Sequence, residues 1–303
     1  SVPGLTVDLS RGQVMGAAAP GAELKLTVLR QGRSLHDARL RADTRGAFQL
    51  ELPPTLELRS GDRVELTGLA APAEALRLDL PELTVEADAA SNRIWGLAAA
   101  PGDLTVLAGS ALQEGFSISQ DWPQPRVDGA WEARLLPSWT LGPGSLVQAR
   151  QRLASGHVLI RRLVLPLLRA ESGGPQACGV GPLRQPLSGE LLAEDGQVLS
   201  RADGRTDSLG RFRLSFSDAR GSLLRSRPGQ SMRVSIGGQT LAVRLPTLEI
   251  TPDWEQGLLQ GRGPANSLFL LRWPALRCLE SLAPGFGAVG LLATQSDAEG
   301  RFQ

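Results

Sequence analysis

A tandem repeat of about 80 residues constrains the fold of this chain more than any other sequence feature. The pattern Pro-x-Leu-x-apolar occurs four times, at spacings of 78, 85 and 80 residues. The four copies begin at Pro3, Pro81, Pro166 and Pro246. Each of the last three follows an apolar stretch, so the last strand of one unit runs into the next unit. The pattern predicts four units, at 1–80, 81–165, 166–245 and 246–303, with the fourth incomplete.

A second landmark lies inside each unit, where a glycine turn is followed two residues later by an aromatic side chain. The aromatic residues at this position are Phe48, Trp131, Phe212 and Phe302. An aspartate precedes the glycine in every copy, and both residue types favour tight turns. Apolar and polar residues then alternate, which is typical of a half-buried strand. We expect the four aromatic side chains to anchor the core of each unit.

The remaining pattern is that of short strands separated by turns. No segment keeps the apolar spacing of an amphipathic helix over a dozen residues, whereas alternating stretches of four to eight residues recur throughout. These features predict an all-β chain of tandem immunoglobulin-like, Greek-key β-sandwiches. Because proline fixes the backbone between successive units, we expect the sandwiches to be arranged as a rod.

The charge balance excludes one broad class of partner. The chain has 32 lysine and arginine residues against 31 aspartate and glutamate residues, a formal net charge of +1. A chain with so little net charge has no overall field that attracts nucleic acid, and no nucleic-acid partner is expected. No apolar run reaches the roughly 18 residues that a membrane-spanning helix needs, so we expect no transmembrane segment in this stretch. The first residues lack a signal sequence, and we expect a mature or clipped start.

The third unit carries a family resemblance in the segment Thr206-Asp207-Ser208-Leu209-Gly210-Arg211-Phe212-Arg213-Leu214. This segment resembles the strand entry of carboxypeptidase regulatory-like and bacterial immunoglobulin-like modules of extracellular surface proteins. The resemblance implies small Greek-key sandwiches that serve as stalks, spacers or adhesive units outside the cell, without catalytic residues of their own. The tyrosine that often follows the last glycine turn in that family is absent here.

Cys178 and Cys278 are the only cysteines of the chain. They lack the close spacing of a zinc site. In an exported protein one possibility is a disulfide between them, which would close a long loop. The alternative is two separate thiols buried in the core.

Catalysis has no candidate residues. His36 and His157 are the only histidines, and neither lies near a recognisable nucleophile motif. The sequence contains no nucleotide-binding loop that opens a helix. We therefore expect no enzymatic activity and no cofactor.

The sequence contains two candidate ligand sites. Asp297 and Glu299, in the fourth aromatic turn, are the best calcium candidates, although one or two carboxylates are few for that ion and a turn-stabilising role is the alternative. Trp122 lies in a longer loop between Asp121 and Pro123 and is the best candidate for an exposed indole that stacks on glycans. Packing between units is the alternative for the tryptophans.

Three functional hypotheses follow. The first is an extracellular structural or adhesive repeat protein of a cell-surface filament, layer or sheath, which contacts copies of itself or other subunits through strand edges and interdomain faces. The second is a carbohydrate-binding or accessory module of a larger secreted enzyme, and the third is an accessory domain of a secreted peptidase. Because the fourth unit stops at Gln303, we expect either a longer chain or strands supplied by another subunit.

Overall fold

The computed structural model describes residues 4–68, 75–111, 119–170, 173–247, 249–253, 255, 258–265, 268–272 and 291–302. These residues form strands joined by turns, and no helix is present among them. The all-β prediction is confirmed. None of the described segments is a helix with the length and apolar character needed to cross a membrane.

The strands are numbered along the chain. The first unit contains β1 (Thr6–Asp8), β2 (Gln13–Ala17), β3 (Glu23–Arg30), β4 (Arg33–Arg41), β5 (Ala47–Glu51), β6 (Asp62–Gly68) and β7 (Leu76–Asp79). The second contains β8 (Glu86–Asp88), β9 (Arg93–Leu97), β10 (Gly102–Ser110), β11 (Ser119–Asp121), β12 (Ala130–Ala133), β13 (Ser145–Leu153) and β14 (Val158–Val164).

The third unit repeats this order with β15 (Leu167–Ala170), β16 (Gln176–Val180), β17 (Pro186–Leu192), β18 (Val198–Arg205), β19 (Arg211–Ser215), β20 (Ser231–Ile236) and β21 (Gln239–Arg244). The described part of the fourth contains β22 (Glu249–Asp253), β23 (Leu258–Arg262), β24 (Leu268–Arg272), β25 (Leu291–Gln295) and β26 (Arg301–Phe302).

The first three units share one topology. The first, second and fifth strands of each unit pair with one another, and the other four strands pair in the order fourth, third, sixth, seventh. The chain therefore crosses between two sheets several times, as in a Greek key. Alternate residues of each strand face inward, as in β3, where Leu24, Leu26 and Val28 are buried and their neighbours are more exposed.

The sheets of the first and second units are joined, which the sequence pattern does not show. Strand β1 of the first unit pairs in parallel with β14 of the second, so that a seven-stranded sheet runs in the order β11-β10-β13-β14-β1-β2-β5. The buried apolar side chains of the two units form one continuous cluster, which includes Leu5, Val7, Leu83 and Ile94. The first two sandwiches thus lie side by side along a strand edge.

Candidate interaction surfaces

The aromatic turns are built by their aspartates. In the first unit, Asp43 Oδ1 accepts hydrogen bonds from the backbone N–H groups of Arg45 and Ala47, both at 2.8 Å. The N–H of Gly46 donates to the carbonyl of Asp43 at 3.0 Å, and Gly46 has a φ of 82°, a left-handed conformation that glycine adopts without strain. The turn delivers the next aromatic residue to the core, where Phe48, Trp131, Phe212 and Phe302 are all buried.

The calcium candidate uses its carboxylates within the same type of turn. Asp297 Oδ1 accepts N–H groups from Glu299 at 3.0 Å and Arg301 at 2.8 Å, and its Oδ2 pairs with the Arg301 guanidinium at 3.1 Å. These hydrogen bonds, led by that from the Arg301 backbone, lower the pKa of Asp297. Glu299 also pairs with Arg301, at 3.1 Å. Across the described residues, no cluster of three metal-ligating side chains occurs. The geometry is that of a structural turn.

The two cysteines are described only in part. Cys178 lies on β16 with its side chain exposed, opposite Arg169 of β15 on one side and Arg213 of β19 on the other. Cys278 lies outside the described residues. A disulfide between them therefore stays a prediction.

Trp122 is a strongly exposed aromatic side chain, with 63% of its surface accessible. Its loop is anchored at the preceding residue, because Asp121 Oδ1 accepts the Trp122 N–H at 2.9 Å while Oδ2 accepts the Arg134 N–H at 2.7 Å. The indole is thus presented to solvent from a fixed backbone.

A second aromatic surface lies on the outer face of the sheet formed by β8, β9 and β12. Trp95, at the centre of β9, is half-buried and lies across from Glu86 on one side and Glu132 on the other. The Arg93 guanidinium lies over the indole, 5.8 Å from its centroid. Sequence reasoning missed this surface. The sequence did contain a signal for it. Neighbouring residues of a strand face opposite sides of the sheet, so with Ile94 facing the core, Trp95 faces outward.

The edge between β1 and β14 is closed by specific polar contacts. The N–H of Leu9 donates to the carbonyl of Ile160 at 2.9 Å, and the N–H of Leu5 donates to Nδ1 of His157 at 2.9 Å. Ser10 Oγ both donates to the carbonyl of Arg162 at 3.0 Å and accepts its N–H at 2.8 Å. The backbone groups that an edge strand would expose are therefore bonded to the neighbouring unit.

A buried ion pair crosses the same boundary. Asp8 of β1 and Arg162 of β14 meet at 2.7 Å, with only 1% and 11% of their side chains exposed. Asp8 Oδ1 also accepts the N–H groups of Ser10 at 3.1 Å and Arg11 at 2.9 Å. The carboxylate therefore has several partners, as a buried charge requires.

The third unit contacts both earlier units. Arg184 Nη1 donates to the carbonyl of Arg11 at 2.7 Å, and its Nη2 donates to the carbonyl of Leu52. Arg11 Nε donates in turn to the carbonyl of Ser208 at 3.1 Å. Between the second and third units, a small apolar cluster contains Leu146, Val164, Val180 and Leu183. The first three units are thus tied together by both polar and apolar contacts.

The fourth strand of the first unit, β4, and the fourth strand of the third unit, β18, both lie at the edge of a sheet. Each carries an exposed leucine at a β-bulge. In β4 the pairing with β3 shifts at Leu35, and in β18 the pairing with β17 shifts at Leu199. Both leucines are 40% exposed. Bulges of this kind interrupt an edge, and an exposed apolar side chain there is available to another chain.

The comparisons with known proteins give distant structural matches only. No family model matches the chain, and no curated protein matches it in sequence. A tetra-tandem repeat from the extending region of a large adhesion protein matches with a TM-score of 0.21 and 13% identity, over 99% of this chain and 89% of that one. The native conformation of Escherichia coli alpha-2-macroglobulin matches at 0.19 and 14%, over 99% and 25%. Pullulanase from Anoxybacillus sp. LM18-11 with maltotriose matches at 0.19 and 8%, over 55% and 25%.

Proposed function

We propose that this chain is a structural or adhesive repeat protein that works outside the cell, as part of a cell-surface filament, layer or sheath, and that it performs no catalysis. The observation that carries the proposal is the seven-stranded sheet that runs from the first unit into the second. A joint made of backbone pairing and a buried ion pair transmits load between units, whereas a flexible linker would let them move independently. The likeness of the third aromatic turn to surface-protein modules agrees with it.

The histidine at the joint supports the non-catalytic part of the proposal. His157 is buried, and its Nδ1 accepts the N–H of Leu5 across the boundary. Because Nδ1 accepts this hydrogen bond, the proton of the neutral ring lies on Nε2, so neither ring nitrogen is free to take a proton from a nucleophile.

The partners we propose are copies of this chain or other subunits, bound through strand edges. The exposed leucines at the bulges of β4 and β18 offer apolar contact at those edges. The charged side chains along the same strands, among them Arg39 and Arg201, limit unspecific pairing. Association is therefore expected to be selective.

Light scattering and electron microscopy over a range of concentrations test the proposal. We expect concentration-dependent oligomers or fibres, and we expect the double variant Leu35→Lys, Leu199→Lys to associate less while still unfolding cooperatively, because both leucines lie at edge positions with 40% of their surface exposed. Arg39→Lys is the matched control, since it changes an edge residue without changing its charge. A wild-type chain that stays monomeric at every concentration contradicts the proposal.

Carbohydrate binding is a second candidate function, and the exposure of Trp122 favours it. The indole of Trp122 is held in solvent by a loop whose backbone is anchored at Asp121, and indole faces stack on sugar rings. A glycan array with the wild type and Trp122→Ala tests this candidate. Absence of binding by the wild type counts against it.

A further inference from the structure

The outer face of the β8-β9-β12 sheet contains an aromatic residue that the fold does not require. In each unit, a glycine of the second strand lies directly across from the core aromatic residue, as Gly96 lies across from Trp131. The residue before that glycine faces outward, and in the second unit it is Trp95. The other three units have Met15, Cys178 and Gln260 at the equivalent position. A sandwich of this topology therefore forms without an indole there.

The side chains around Trp95 are held in place. Arg93 donates two hydrogen bonds to Glu132, from Nε at 2.9 Å and from Nη2 at 3.0 Å, so the guanidinium and the carboxylate lie fork to fork. The same hydrogen bond lowers the pKa of Glu132, which keeps this group ionised as an acceptor. With Arg93 also over the indole, the three side chains form one ordered patch.

A shallow cavity of about 540 Å³ lies over this patch. Its size is within the range of roughly 300–1,000 Å³ that is typical of sites for small ligands. Gln124 and Arg126 also line the cavity, and they follow Trp122 along the chain. Glu86 and Glu132 balance Arg93 and Arg126 in charge, so the described lining offers many hydrogen-bonding groups without a net charge.

We propose that this face binds a neutral oligosaccharide, with a sugar ring against the Trp95 indole and its hydroxyl groups bonded to Arg93, Glu132 and Gln124. The apolar C–H face of a sugar ring suits an indole, and its hydroxyl groups both donate and accept, as this mixed lining requires. An anionic ligand would need an excess of positive charge, which this lining lacks. The proposal deepens the second candidate function and rests on it.

Calorimetric titration of the full chain with neutral tetrasaccharides of glucose and xylose in α and β linkages tests the site. The variant Trp95→Met introduces the residue of the first unit, so the sandwich is expected to fold as before, with an unchanged unfolding midpoint. We expect it to weaken binding by about tenfold or more, the equivalent of 1.4 kcal/mol. Gln260→Met, at the equivalent position of the fourth unit, is the matched control and is expected to bind like the wild type.

The possible outcomes distinguish a failure of the proposed site at Trp95 from a failure of carbohydrate binding by the chain as a whole. Binding that survives in Trp95→Met and is lost in Trp122→Ala overturns the site on the sheet and leaves carbohydrate binding in place. If the wild type binds none of the tetrasaccharides, both the site on the sheet and carbohydrate binding as a function are overturned. Equal weakening by Gln260→Met also contradicts the proposal, since that residue lies outside the patch.

Discussion

The ring of Phe48 lies over the α-carbon of Gly16, its direct partner on the neighbouring strand, and a β-carbon at position 16 would be 2.6 Å from Cζ of that ring. The same pairing occurs in all four units, between Gly96 and Trp131, Gly179 and Phe212, and Gly261 and Phe302. The aromatic ring fills the space that a glycine leaves in a strand and covers its backbone. This pair, together with the aspartate turn, defines the core of the repeat.

We expect Gly179→Ala to destabilise the third unit. Its β-carbon would be 2.0 Å from the carbonyl oxygen of Leu167 and 2.8 Å from Cζ of Phe212, so both backbone and ring must move. Overpacking of this kind lowers the free energy of unfolding by about 1–3 kcal/mol. Urea unfolding followed by circular dichroism measures it, because the third unit contains no tryptophan. Gly142→Ala is the control, since no atom lies within 4 Å of its added carbon. Equal effects of the two changes would contradict the expectation.

The turns and the alternating strands of the fold were predictable from the sequence. The residues that lie opposite one another on neighbouring strands were not. Phe48 stands out because its turn lies directly before it, whereas Gly16 is distant in sequence and an isolated strand glycine has several meanings. Asp8 and Arg162 look like ordinary surface charges until β1 and β14 pair. Trp95 was missed because the face that a strand residue occupies depends on register. Long-range pairing is set by tertiary packing, which sequence patterns describe poorly.

The ion pair between Asp8 and Arg162 is expected to contribute strongly to the joint between the first two units. Asp8→Asn leaves the guanidinium of Arg162 buried without a carboxylate, which lowers the free energy of unfolding by about 3 kcal/mol. Asp79→Asn is the control, because its pair with Arg63 is exposed to solvent, which screens the interaction between the two charges. Chemical unfolding compares the two. A smaller loss from Asp8→Asn than from Asp79→Asn would show that the joint does not depend on this pair.

Calcium is expected to leave the stability of the chain unchanged. The carboxylate of Asp297 already bonds two backbone N–H groups and the Arg301 guanidinium, so a cation would have to displace them. Thermal unfolding in millimolar calcium, compared with a chelator at equal ionic strength, measures this. A saturable rise of the midpoint that Asp297→Asn abolishes would instead identify the turn as a calcium site.

Acid is expected to weaken the joint through His157. Burial lowers the pKa of His157 from its ordinary value of 6.5, against a smaller opposing effect of a hydrogen bond to the backbone of Arg77. Because Nδ1 accepts the N–H of Leu5, the folded state needs the neutral ring. The unfolded chain therefore binds a proton more readily than the folded chain below pH 6.5.

The sign of the effect follows from that difference. The contribution of His157 to stability is fully present above pH 6.5, falls as the pH drops below that value, and levels off once the folded state is protonated too. Urea unfolding midpoints at pH 7.5 and at pH 5.5, about one unit either side of the ordinary histidine pKa, measure the change. We expect a larger loss on acidification for the wild type than for His157→Gln, which cannot titrate, whereas His36→Gln should behave like the wild type. An equal loss in the wild type and His157→Gln would place the acid sensitivity elsewhere in the chain.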